Sequence, residues 1–295
     1  MTISLSHHTK SEVELDSLND RVDEIESRIQ QTESLFLPKK KTLSLLHQLT
    51  EFPLGRFLLQ NKGLNGYWTA YIFRNRTDHD TCHPLEKWLL TRSLYVMARE
   101  RFYVFQKEIK QSLFPGISMA SLPCGIMDDL LHLDYNGLED FKLTGIDYDE
   151  ESLHFAKLNA AEQNLADKTT FILKDAWQLD IEEAFDLLTS NGLNMYESSP
   201  QRLVDLYKNF AKALVKGGKL LLSFIPPPPK EGLKGISEED FMIERALFGD
   251  IIQINYLNFS SEEEITQQLN QSGFDVEHII YNQYGVAPVL VAYKR

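Results

Sequence analysis

Two stretches decide the fold: Ser121-Leu122-Pro123-Cys124-Gly125-Ile126-Met127-Asp128-Asp129, and then Thr144-Gly145-Ile146-Asp147-Tyr148-Asp149. Each closes a short β-like run, at about 118–122 and 142–147, and each leads toward a helical one. Strand, turn and helix repeated in this way give a mostly parallel sheet whose ligands sit beyond the carboxyl ends of the strands. Gly125 lets the backbone approach a ligand, and the helix behind it offers free N–H groups. Asp147 stands 22 residues further on, the spacing at which an acid accepts hydrogen bonds from ribose hydroxyls.

The alternation continues outward. Further strands are expected at about 169–174, 185–191 and 219–225, with helices at 150–164 and 200–214, the second closed by Gly217 or Gly218. A helix capped by Ser260 or Ser261 and ended by Gly273 precedes two strands, near 276–284 and 289–293, close enough in sequence to pair as an antiparallel hairpin. The expected fold class is therefore α/β: a Rossmann-like seven-stranded, mostly parallel sheet over 115–295 with a C-terminal antiparallel hairpin, preceded by a helical N-terminal extension over 1–114. Four prolines, Pro226 to Pro229, lead a stiff excursion over about 226–258 that is expected to act as a lid.

In the extension, Leu18, Val22, Ile25, Ile29, Thr32 and Phe36 recur at steps of four and three, which predicts an amphipathic helix over 12–36. Its apolar stripe, about two and a half heptads, can pack on its own domain or pair two chains as a homodimer. Glycines and asparagines at 61–66 predict a turn before the aromatics Tyr67, Trp68 and Tyr71, and a single helix is expected over 84–112. Tyr67, Trp68, Tyr71 and Arg245 are expected to line an aromatic acceptor pocket.

The two opening stretches resemble the first two motifs of class I S-adenosylmethionine (SAM)-dependent methyltransferases. Lys174-Asp175-Ala176-Trp177 and the run Asn191-Gly192-Leu193-Asn194-Met195-Tyr196 after the fourth strand agree with later motifs of the family, as do the glycine pair and the terminal hairpin. The resemblance covers about 115–295 and implies SAM as cofactor, with S-adenosylhomocysteine (SAH) as product. It implies cofactor contacts from Pro123, Cys124, Gly125, Asp147, Tyr148, Asp175, Ala176, Trp177 and Asn191, with Asp175 at the exocyclic amine. It places Asn191, Asn194 and Tyr196 at the reacting methyl group, Tyr196 also facing the acceptor. Two positions depart from the family: Ser121 stands where an acid is usual and Met127 where a second glycine is. Asp128 or Asp129 could supply the acid, although acids suit a first helical turn in any case.

Composition narrows the acceptor. The formal net charge is −13, from 43 acidic against 30 basic residues, which disfavours nucleic acid and favours a small molecule. No apolar run is long enough for a membrane span, and an N-terminus without an apolar core, with only two cysteines, points to the cytoplasm. No metal is expected: His79, Asp80, Cys82 and His83 match no structural zinc spacing and read as a polar loop. Pro123-Cys124 has the letters of the cytosine-5 methyltransferase dipeptide but lies in the first turn, so Cys124 is not expected to act as a nucleophile. A degenerate family member acting as a binding partner is the alternative, on the strength of Ser121 and Met127. A nicotinamide-dependent oxidoreductase is disfavoured by the single glycine and the hairpin.

Overall fold

The structure, a computed structural model, describes residues 18–74, 83–227, 237–254, 258–282 and 285–295. The chain forms two compact units, Met1–Val96 with Lys230–Tyr256, and Met97–Pro229 with Leu257–Arg295.

The second unit holds a seven-stranded sheet in the order β3-β2-β1-β4-β5-β7-β6. Its strands are β1 (Ile117–Ser121), β2 (Phe141–Asp147), β3 (Thr169–Leu173), β4 (Phe185–Ser190), β5 (Leu214–Ser223), β6 (Phe274–Ile280) and β7 (Val289–Lys294). The first five run parallel; β7 pairs antiparallel with both β5 and β6, as the hairpin reading required. Apolar clusters line the two faces of the sheet, one under Leu206, Tyr207 and Phe210 and the other under Phe105, Ile109 and Ala156. Central strands buried on both faces explain why β2 and β4 read as apolar runs rather than as alternating ones.

The crossover helices start where their caps dictate. Asp149 accepts the Ser152 N–H at the head of Glu150–Glu162, and Ser199 with Pro200 opens Pro200–Ala213. Ser261 and Glu264 form a capping box on Glu262–Gln271, so Ser261 rather than Ser260 is the cap, and Gly273 follows with φ +93°. One sequence reading fails here. Gly217 does not close the second helix, which stops at Ala213, because Leu214 is drawn into the sheet beside Phe185. Gly217 instead takes φ +75° within an irregular stretch of β5 between Leu214 and Lys219.

The first unit is helical, with α1 (Leu18–Gln31), α2 (Lys39–Thr50), α3 (Pro53–Asn61), α4 (Gly66–Arg74) and α5 (Pro84–Leu90). Residues 12–17 of the expected first helix lie outside the described residues, and its end falls at Gln31, before Thr32 and Phe36. Beyond Gln31, Phe36 donates its N–H to Asp250, at 2.9 Å. The single helix expected over 84–112 is two, α5 and α6 (Ser93–Lys110). At the break the Thr91 hydroxyl and the Arg92 Nε both donate to the Trp88 carbonyl, at 2.6 and 3.1 Å, taking the acceptor that a continuous helix would need.

Of the excursion led by the prolines, Lys230 to Tyr256 groups with the helical unit. Residues 228–236 and 255–257 of it lie outside the described residues. The rest folds as α7 (Glu238–Arg245) running into a π-helical turn, Ala246–Ile252. It is stitched to α1 and α5: Arg28 donates to the Ile251 carbonyl at 2.8 Å, and Trp88 and Arg92 both hold Asp240, at 3.0 and 2.6 Å.

Candidate active site

The carboxyl ends of the parallel strands carry every residue assigned to the cofactor. After β1 the chain turns through Leu122 to Met127 into one short helical turn, Asp128–Leu131. The turn is fixed to its neighbours by backbone: Leu122 N–H donates to Thr189 on β4 and Cys124 N–H to Ile146 on β2, both at 2.9 Å. Gly145 on β2 makes room for it, since a Cβ there would lie 3.0 Å from the Met127 sulfur and 3.1 Å from the Cys124 sulfur. Met127 takes φ +63°, the left-handed conformation a glycine would adopt without strain, and its side chain is buried. Met127 thus stands in the left-handed conformation that favours the glycine usual at this position.

Asp147 ends β2 and accepts two backbone bonds, Gly125 N–H at 2.9 Å and Asp149 N–H at 3.0 Å, one on each oxygen. Burial pushes its pKa up to about 6, against the pull of those N–H groups. A carboxylate has about four acceptor positions, so each oxygen keeps capacity for a ribose hydroxyl. Tyr148 beside it is exposed.

The acid absent at Ser121 comes from the helical turn. Asp129 reaches back beneath the turn and accepts the Ser121 hydroxyl at 2.9 Å, the Thr189 hydroxyl at 2.6 Å and the Leu130 N–H at 3.0 Å. Burial raises its pKa, opposed by those hydrogen bonds. Asp128 faces elsewhere, taking the Asn159 amide at 2.9 Å while Asn159 also holds the Ile126 carbonyl at 2.8 Å. Both acids are buried, so neither is the exposed first-turn acid that composition alone allowed.

After β3, Asp175 caps the short 3₁₀ turn Ala176–Gln178 through Trp177 N–H at 2.9 Å. Trp177 is half-buried, its indole N–H donating to the Arg202 carbonyl at 3.0 Å. After β4, Asn191 accepts the Ser223 hydroxyl at 3.1 Å, and Tyr196 ends the 3₁₀ turn Leu193–Tyr196, half-buried. Asn194 is 1% exposed and donates to the Tyr207 hydroxyl at 3.1 Å, which makes it part of the turn's support. Glu197 accepts Ser199 N–H at 2.8 Å and Arg202 Nε at 2.5 Å, a helix-cap assignment. Cys124 is buried, and burial together with the charges of Asp147 and Asp129 holds its pKa well above that of a free thiol.

In the helical unit, Trp68 packs edge-on against Tyr67 and Tyr71, each at 5.2 Å, and the Tyr71 hydroxyl meets the buried Glu86 at 2.9 Å. Arg245 lies over the Phe36 ring at 4.1 Å. Of the four residues weighed as a metal loop, His79, Asp80 and Cys82 lie outside the described residues. His83 caps α5 through Nδ1, accepting Leu85 N–H, so its other nitrogen is the donor toward Glu51 at 2.9 Å. Among the described residues no group of His, Cys, Asp and Glu could hold a metal ion.

The family described as "Methyltransferase domain" matches residues 121–218. Among solved structures, a possible exported protein from Bordetella parapertussis is 35% identical with a TM-score of 0.87, over 94% of this chain and 95% of that one. The chain carries a class I SAM-dependent methyltransferase domain. The fold is shared more distantly with magnesium protoporphyrin IX methyltransferase from Synechocystis PCC 6803, at 16% identity and TM-score 0.52 over 77% and 94% of the two chains. It is shared also with a geranyl diphosphate methyltransferase, at 14% identity and TM-score 0.50 over 74% and 86%. No curated protein matches.

This methyltransferase uses SAM and yields SAH. Its residues fit that cofactor: the hydrogen-bond partners of Asp129 and Asp147 are all neutral, which suits a donor that brings its own positive charge. No helix among the described residues is long and apolar enough to cross a membrane. The sequence missed Thr189 as a partner of Asp129, and Arg202 and Asn209 as neighbours of the loop after β3. The last two lie seven apart, a spacing that puts them on one helical face, but nothing in sequence says which loop that face meets.

Proposed function

We propose that this methyltransferase moves the methyl group directly to an oxygen or nitrogen of a small molecule, without a covalent enzyme intermediate. The observation that carries this is the setting of Cys124: the thiol in the donor turn is buried, and burial beside Asp147 and Asp129 raises its pKa, the opposite of what an activated nucleophile needs. When bound, SAM supplies a methyl group made electrophilic by its sulfonium. The protein's share is then placement, which in such transfers supplies most of the rate. Asp147 would take the ribose hydroxyls, Asp175 the adenine amine, and Pro123, Cys124 and Gly125 the methionine end through backbone.

Asn191, with its side-chain oxygen already engaged by Ser223, and Tyr196 are the residues we assign to the reacting end. Tyr67, Trp68 and Tyr71 are assigned to acceptor recognition for their aromatic faces, and Arg245 for its charge. The acidic balance supports a small acceptor over nucleic acid, and the two distant fold neighbours named above act on small molecules by their own descriptions.

The face that α1 would offer a second copy is used within its own unit, Ile25 and Ile29 each being 1% exposed, which supports packing of α1 at home over pairing of two chains through it. Cytoplasmic residence belongs to the same proposal, although the Bordetella relative is described as a possible exported protein; cell fractionation decides it. Titration with SAM and SAH, followed by SAH release against a panel of phenols, carboxylates and amines, tests the function. Binding without turnover on any panel member, or no binding, would instead favour the degenerate reading.

A further inference from the structure

The second crossover helix, Pro200–Ala213, is more than cover for the sheet, because its polar groups reach two site loops. The Asn209 amide donates to the Ala176 carbonyl at 3.2 Å and to the Trp177 carbonyl at 2.9 Å. Two turns nearer the start of the helix, the Arg202 carbonyl takes the Trp177 indole N–H at 3.0 Å, and the Arg202 guanidinium lies 5.2 Å from the indole centre. The same guanidinium holds Glu197, and Tyr207 receives the Asn194 amide, so the loop after β4 is gripped from the same helix.

The 3₁₀ turn Ala176–Gln178 is only three residues long and makes one backbone bond of its own, Gln178 N–H to Asp175 at 3.0 Å. Such a turn is ordered by what surrounds it rather than by a ladder. Asn209 satisfies two of its carbonyls with one side chain, and thereby fixes the direction in which Asp175 and Trp177 face.

We propose that Asn209 is a positioning residue for the adenine end of the donor site, acting through the Ala176 and Trp177 carbonyls. This rests on the reading that adenine lies against Asp175 to Trp177. A loop held in place before binding spares the ligand the entropy of ordering it, so loss of the clamp appears as lost affinity. The ligand need not carry a methionine part to feel it, and adenosine alone reports the effect.

The test is calorimetric titration of the full chain with SAH and with adenosine, for the wild type and for Asn209→Ala, Asp175→Ala and the double variant. Asn209→Ala is expected to weaken both ligands by the same factor, about tenfold, the scale of one or two part-buried hydrogen bonds. The double variant is expected to lose less than the product of the single losses, since both act through one loop. If Asn209→Ala folds poorly, Asn209→Leu keeps the volume, removes the donors without setting a carboxylate against the two carbonyls, and must show the same loss. A lowered melting temperature with unchanged affinities would overturn the proposal, as would losses that multiply fully. If Asp175→Ala itself leaves both affinities unchanged, the adenine reading fails; if it weakens both while Asn209→Ala does not, only the clamp fails.

Discussion

Asp129, in the helical turn after β1, and Asp147, at the end of the adjacent β2, are about equally hidden, 7% and 6% exposed, yet they are held by opposite means. Asp147 is fixed by backbone N–H groups, from Gly125 and Asp149, which any sequence able to make the turn would provide. Asp129 is fixed mainly by hydroxyls, from Ser121 and Thr189, which only those side chains provide. The first acid follows from chain geometry and keeps the family's position. The second depends on two hydroxyl side chains from two strands, and it is where this chain departs from the family.

The largest expected effect separates the two by ligand affinity. Asp147→Ala should weaken SAH binding at least about a hundredfold, since two charge-assisted bonds to ribose are each worth about 1.5 kcal/mol or more. Titration calorimetry checks it, and a loss below about fivefold would remove Asp147 from the ribose. Next comes pH. Ribose hydroxyls donate to the ionised carboxylate, so with a pKa pushed up to about 6 the affinity for SAH should fall on acidification. Only about a tenth of such a group stays ionised at pH 5, which implies close to a tenfold loss relative to neutral pH. Stability must move the other way. The folded pKa lies above the ordinary 3.8, so the contribution of Asp147 to the unliganded fold is full below that value and is lost as pH rises through 6. Affinity and stability from one group therefore run in opposite directions across this window, and Asp147→Asn should flatten both.

Why Asp147 was legible outright, and Asp129 only as one of two candidates with Asp128, follows from the same contrast. The spacing of Asp147 from Gly125 is set by a strand, a turn and a helix of ordinary length, so counting residues finds it. Strand existence was legible for the same reason, through apolar runs bounded by turns. The role of Asp129 required knowing that Ser121 and Thr189, 68 positions apart, end neighbouring strands, which only the pairing of β1 with β4 reveals. Element ends were missed where a side chain or a neighbour overrode local preference, at Thr91, where two donors stop a helix, and at Leu214, where the sheet claims a residue. The same holds for the helical unit: the stripe of α1 was visible, but its choice between packing at home and pairing abroad was not.

Smaller effects test how Asp129 is held. Thr189→Val keeps the volume and removes the shorter hydroxyl bond, so it should cost about 1–2 kcal/mol of stability, read as a shift in denaturant midpoint at unchanged slope. It should also raise the Asp129 pKa further, because that bond is the first of those opposing burial. The loss should therefore shrink as pH falls and the carboxyl protonates, whereas a mere packing defect would cost the same at every pH. SAH affinity should change less than in Asp147→Ala, since Thr189 acts on the ligand only through the turn.

The least effect is expected at Cys124, which lies between the two acids. Its thiol sits against Gly145 and donates weakly to the Gly125 carbonyl at 3.4 Å, and both neighbouring carboxylates oppose its ionisation. Cys124→Ala should leave SAH affinity within about twofold, because the removed bond is a weak sulfur donor and the backbone of the turn, held by Asp147 and Ile146, does not depend on it. In the native chain the thiol should resist iodoacetamide, followed by peptide mass mapping, until denaturant is added. Rapid native labelling would mean that the thiolate forms readily in the turn, and with it the argument for direct methyl transfer would fall.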